Sequence, residues 1–345
     1  MHWQDQLNGD TLTWLLEPES PGIRYLALRD LVGSPPEDAE LKAAAEIAHR
    51  AGPIQTILQE MNPGGYWERP GPGYNPKYRS TVWSIILLSQ LGGSVTLDER
   101  IDTACHYVLD QALTEDGLFT MNGAPSGTID CLQGNLCAAL QNLGVEDPRL
   151  DQAFEWMARS VTGDGIAPLE NKQAFPRYYA YQCGPGFACG VNASQTCAWG
   201  GVKVMLAFSK LPIEKRTPLI EKAIRMGIEI LFSVDPAEAA YPTRLGTKPN
   251  RSWWTFGFPV FYVTDILQNA EVLARLGYGS DPRLSNALDL IRGKQDGSGR
   301  WVLEYTYAGK TWGDFGEKKQ PNKWVTLRAA RVLKLSTEIH QPGTD

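Results

Sequence analysis

The residues best equipped for chemistry are cysteines. The 345-residue chain has six, and four fall at or between the starts of two successive apolar segments. Cys131 opens one segment, Cys197 opens the next, and the glycine-rich loop between them carries Cys183 and Cys189. Four thiolates suit a tetrahedral zinc ion, and helix N-termini favour the thiolate form. Zinc is the cofactor such a set would take: structural if Cys131, Cys183, Cys189 and Cys197 all bind, catalytic if water or substrate replaces Cys189. The Cys183 to Cys189 spacing is wider than a zinc knuckle, so buried thiols beside glycine turns are the competing reading. Cys105 and Cys137 read as core. None of the four histidines sits in a segment with the marks of a site.

Two acids are candidates for proton transfer. Asp265 lies in a strongly apolar segment, Phe258 to Leu267. Desolvation there would raise its pKa and keep it protonated, as a general acid requires. A carboxylate bonded to a helix start or an arginine is the alternative. Asp130 is either a second acid or the cap of the helix that Cys131 opens. Rings and cations form a third set. Tyr74, Tyr78 and Arg79 precede one apolar segment, Trp199 lies at the start of another, Trp253 and Trp254 precede a third, and Trp312 and Trp324 lead into the last. Tyr179 and Tyr181 stand in the cysteine loop, with Arg177 and Tyr178 beside them. Rings with interspersed cations suit an apolar ligand with an anionic head, or a carbocation over aromatic faces. Stacking of sugars, and a rim that merely packs loops down, stay open as well.

Helices must position these groups. Pro21 to Gly33 has proline in its first turn, an apolar stripe and a glycine stop. Glu37 to Arg50 and Asp98 to Gln111 are amphipathic, whereas Ser80 to Leu91 is apolar nearly all round and predicts a helix buried on most sides. Leu143–Leu150 returns as Leu276–Leu284, each copy placing Asp-Pro before an amphipathic helix. Asp147 and Asp281 are expected N-caps, with Pro148 and Pro282 at the first helical position. Apolar helices start near Ser80, Cys131, Thr196, Tyr262 and Asn322. Such a helix-pair repeat predicts an all-α fold, an α/α toroid of inner helices wrapped by outer ones, its loops gathered at one mouth. The chain reads as one domain: N-terminal helices over 1–60, helix-pair repeats over 61–335 and a tail over 336–345.

Gln295-Asp296-Gly297-Ser298-Gly299-Arg300-Trp301 fits Q-x-x-x-G-x-W, and Gly64-Gly65-Tyr66-Trp67 keeps its G-x-W end. The pattern resembles the QW motif of squalene-hopene cyclase-like terpene cyclases, and the repeat looks like the toroid they share with protein prenyltransferase β subunits. That resemblance implies a structural staple at Gln295 and Trp301, and an enzyme acting on an apolar, isoprenoid-like small molecule in the central cavity. The D-x-D-D and D-D-x-x-D motifs of cyclases are absent, as is a histidine for a prenyltransferase zinc. Two other functions stay open: a zinc-stabilised, non-catalytic binding scaffold, and a lyase-like toroid acting on glycans, for which Arg177, Tyr178, Tyr179 and Tyr181 would serve.

Acidic residues number 39 and basic ones 33, a net charge of −6, which argues against a broad nucleic-acid footprint. No apolar run is long enough to cross a bilayer and the first residues do not read as a secretory leader. The expected compartment is the cytoplasm, where cysteines stay reduced.

Overall fold

A computed structural model describes residues 2–167, 171–174, 182–246 and 248–338. Most of these residues are helical. The N-terminal part holds α1 (Thr11–Leu15), α2 (Pro21–Ala27, prolonged by a π turn over Leu28–Val32), α3 (Ala39–Arg50) and α4 (Gly52–Gln59). Buried and amphipathic helices then alternate. The buried set is α5 (Thr81–Gln90), α7 (Asp130–Leu143), α9 (Ala198–Lys210), α11 (Ile266–Leu273) and α13 (Lys323–Leu335). The amphipathic set is α6 (Glu99–Ala112), α8 (Pro148–Thr162), α10 (Pro218–Leu231) and α12 (Ser285–Gly293).

The hydropathy pattern explains the alternation. Every residue of α5 from Thr81 to Leu88 is buried, so the helix has no face for water. On the outer helices a repeated Asp-x-Arg start fixes the first turn. Asp98, Asp147 and Asp281 each accept the backbone N–H two residues on and pair with the arginine there, Arg100, Arg149 and Arg283. Pro148 and Pro282 stand directly after their caps, as their fixed φ favours.

Each buried helix touches the next from α5 to α13, and α13 also packs on α2. The α7–α9 crossing is the tightest, and Gly134 permits it: a Cβ there would lie 2.3 Å from the Lys203 carbonyl carbon. Gly92, just past α5, lies so near α2 that a Cβ would meet Leu26 at 2.8 Å. α13 thus lies against the N-terminal helices, and buried apolar side chains from Ile54 to Leu333 form one continuous cluster.

The two aromatic copies of the sequence motif occupy equivalent places. Trp67 and Trp301 are fully buried; each donates Nε1–H to the outer-helix carbonyl ten residues earlier, Ile57 or Ile291, at 2.8 Å. Their backbone N–H groups donate to Thr81 and Thr326 on the following buried helices. Gln295 bonds Gln6 O and the Asn8 N–H, fastening α12 to the N-terminal segment.

Two departures from the sequence reading matter for the site. The apolar helix expected near Tyr262 begins at Ile266, with Asp265 as its N-cap outside the helix. The cysteine loop holds a small antiparallel sheet, β1 (Cys183–Gly184), β2 (Ala188–Cys189) and β3 (Gln195–Thr196), in an otherwise helical chain. Gly186, at φ 62°, allows the tight turn between β1 and β2. No helix among the described residues is long and apolar enough to cross a membrane.

Candidate functional site

The two ends of the buried helices carry different chemistry. At the N-terminal ends the cysteines do approach one another. Cys183 and Cys189 are direct cross-strand partners, and the bond from Gly190 N–H to Gln182 O marks theirs as a non-hydrogen-bonded pair, the closer kind. The Cys189 thiol is lowered to about 6, first by a hydrogen bond from Cys197 and then, against its burial, by the N–H groups of Asn192 and Val191. Burial pushes Cys131 up to about 12 and Cys183 well above the ordinary thiol range. Cys105 and Cys137 are buried in the core. Among the described residues no group of three or more His, Cys, Asp or Glu is placed to hold a metal ion. Within the loop Cys189 engages Cys197, while Cys183 faces Asp130 and the Thr128 carbonyl.

Asp130 is the first residue of α7 and does not cap it; Ile129 holds the cap position. Its Oδ2 is buried without a hydrogen-bond partner, and burial raises its pKa to about 8. Asp265 has the bonded fate. Its Oδ1 accepts from Gln268 N, and its two oxygens accept from Arg328 Nη2 and Nη1 at 2.8 and 2.9 Å. The carboxylate is thus engaged on both oxygens by one buried guanidinium.

Of the aromatic set, Tyr74, Tyr78, Arg79 and Trp312 converge. Tyr78 lies 4.5 Å from Tyr307 and 5.4 Å from Trp83, which also meets Tyr74. Arg79 stacks over Trp312, whose Nε1–H donates to Ser84 and the Arg79 carbonyl. Lys77, from the same run as Tyr74 and Arg79, joins this group, as do Tyr262 and Tyr305, which were not put forward as site residues from the sequence. The remaining rings go elsewhere: Trp253 packs on Tyr241, Trp254 bonds the Ala237 carbonyl, Trp324 stacks on Phe258, and Trp199 lies partly buried on the core. Tyr179 and Tyr181, with Arg177 and Tyr178, lie outside the described residues.

The C-terminal ends enclose a cavity of about 90 Å³ to which α2, α5, α7, α9, α11 and α13 all contribute. Ile86, Ala138, Ala139, Leu206, Phe258 and Val260 give it an apolar side. The rest is charged: Arg29, Asp30, Lys210, Glu271, Arg275, Arg328 and Arg331. Asp30 pairs with both Arg29 and Arg331, and Arg275 pairs with Glu271 at 3.0 Å. Burial opposes ionisation of Asp30 and Glu271, yet the surrounding arginines overcome it. Asp30 is held well below the usual carboxylate range, and Glu271 at about 2. The Lys210 amine makes no hydrogen bond or ion pair with any described residue. Burial, then Arg275, bring its amine down to about 7. Two atoms of Arg331, Nε and Nη2, are buried without a hydrogen-bond acceptor although Asp30 is within ion-pair reach. This charged lining departs from the apolar cavity that the resemblance implies. The signal in the sequence was a set of charges inside otherwise apolar helices: Lys210, Glu271 with Arg275, and Arg328 with Arg331.

No family model matches the chain and no curated protein matches it. Among solved structures, a variant of a family 10 polysaccharide lyase from Cellvibrio cellulosa, bound to trigalaturonic acid, is similar at 12% identity and a TM-score of 0.30 over 65% of this chain and 78% of that one. The type II terpene cyclase MstE from Scytonema is similar at 13% identity over 85% of this chain and 96% of its own. Its TM-scores are 0.32 for a variant bound to geranylgeranyl dihydroxybenzoate and 0.31 for a ligand-free variant. Likenesses this slight decide neither fold nor activity.

Proposed function

We propose that the buried helices close into an α/α toroid whose central cavity binds a small anion, a carboxylate or phosphate compound of a few carbon atoms. The carrying observation is an excess of positive charge. Arg29 and Arg331 share the single carboxylate of Asp30, Arg275 has Glu271, Arg328 has Asp265, and Lys210 is left over. An anion would complete this set, with guanidinium forks suited to a carboxylate or phosphate. The apolar side of the cavity offers a surface for the carbon part, and the volume of about 90 Å³ limits its size.

The isoprenoid ligand fits this cavity poorly. A hydrocarbon chain placed there would desolvate Arg331, Glu271 and Lys210 and return no hydrogen bond to any of them. The aromatic group at the other end is largely occupied with itself, since Tyr74, Trp83, Phe261, Tyr307 and Trp312 are all buried.

Isothermal titration with pyruvate, inorganic phosphate and geraniol tests the proposal. The expected result is binding of at least one of the two anions, weakened about tenfold or more in Arg331→Met and by added salt. Binding of geraniol with no response to either anion would reverse the assignment.

A further inference from the structure

We propose that Lys210 is a nucleophilic amine that condenses with the carbonyl group of a small 2-oxo acid, whose carboxylate rests on Arg29, Arg275 and Arg331. This rests on the anion-binding reading of the same cavity and adds a covalent step to it. Lys210 is the last residue of α9, lines the cavity and is only partly buried. The charged groups around it come from every neighbouring element: Arg29 and Asp30 from the π turn after α2, Glu271 from α11, Arg275 just beyond it, and Arg331 from α13. No described residue occupies its amine, so an incoming carbonyl has nothing to displace.

Lys203 provides the contrast. Its amine is also brought to about 7 by burial, but it is fully buried and donates to Gln268. Lys210 has the same shift, lines the cavity and has no such partner among the described residues. At neutral pH about half of such an amine is uncharged, against fewer than about one in a thousand for an ordinary lysine. Desolvation beside other cations is a recognised way to prepare a lysine for imine formation.

The step balances without an oxidant or a reductant. The neutral amine adds its electron pair to the carbonyl carbon and the C=O π bond breaks, giving a carbinolamine after proton transfer from nitrogen to oxygen. One proton from solvent then lets that oxygen leave as water, and a C=N bond forms. Amine, ketone and one proton become iminium and water. The new positive charge lies near Glu271, which Arg275 and Lys210 hold ionised against its burial. An iminium draws electrons from the adjacent carbon, so the reaction class served is carbon–carbon bond cleavage or formation next to the former carbonyl.

The experiment uses the full chain with pyruvate and with glyoxylate, each in the presence of sodium borohydride, followed by intact mass measurement and peptide mapping. The proposal expects one adduct, equal in mass to the acid less one oxygen atom, on Lys210. It should form at least about tenfold faster than on surface lysines, and phosphate should slow it. Lys210→Arg should lose the adduct. Labelling of Lys210 no faster than surface lysines, or no adduct while titration still shows anion binding, would overturn the lysine's role and leave the anion reading standing. Absence of both adduct and anion binding would remove the two together. The peptide map of the unaltered chain decides the matter even if the variant fails to fold.

Discussion

Asp130 is a carboxyl group that folding removes from water without giving both oxygens a partner. Burial holds its pKa near 8, far above the ordinary carboxylate range near 4. Between those two pH values the folded chain keeps a proton that the unfolded chain releases, so this residue makes stability fall as pH rises from about 4 to about 8. Asp130→Asn mimics the protonated form. The variant should match the parent at pH 4 and exceed it by about 5 kcal/mol at pH 8, measured by urea unfolding at both. Comparing the two proteins at each pH cancels the opposite slope of Lys203 and Lys210, whose lowered pKa values disfavour the folded chain and do so less as pH rises above about 7. An equal difference at the two pH values would contradict the buried, proton-holding state. The sequence brought attention to Asp130 through the adjacent Cys131, and it located the cysteine loop. It did not show that Cys189 would take Cys197 as its partner, because that pairing depends on a three-stranded sheet of two-residue strands, too short for any periodic signal.

At the level of helices, Asp265 and Arg328 join α11 to α13. The pair is buried, with 7% exposure for Arg328 and 5% for Asp265. Removing one partner leaves the other charge uncompensated in a dry setting. Asp265→Asn keeps a side chain able to cap α11, so its cost isolates the pair: about 3 kcal/mol by chemical denaturation, recovered in large part by adding Arg328→Met. A single variant as stable as the parent would show the pair to be dispensable. The helices themselves were legible, because an all-round apolar run such as Thr81 to Leu88 and an Asp-Pro start such as Asp147-Pro148 each have one reading. The start near Tyr262 was misplaced for a physical reason. Phe258 to Val263 is as apolar as a buried helix, yet Val260 is tied by its backbone to Gln90 at the end of α5, and the segment runs as a bent loop. The Trp301 staple was readable from a single motif; its second copy at Trp67 makes the same bonds without the glutamine, so the tryptophan, not the glutamine, is the repeated part.

For the whole molecule, the cavity is the feature least visible in the sequence. Arg29, Lys210, Glu271, Arg275 and Arg331 are scattered along most of the chain, and each alone is a charge in a largely apolar helical segment. Only their convergence at one end of the buried helices turns them into a site, whereas Tyr74, Tyr78 and Trp312, the rings from the sequence reading that do converge, lie toward the opposite end. Crystals of the chain soaked with selenate test this directly, since the anomalous signal of selenium locates a bound oxyanion without prior assumption. The cavity should show a peak within hydrogen-bond distance of Lys210 and Arg331, lost when either is replaced by methionine. Peaks confined to the outer surface or to the aromatic end, with the cavity empty, would contradict the assignment.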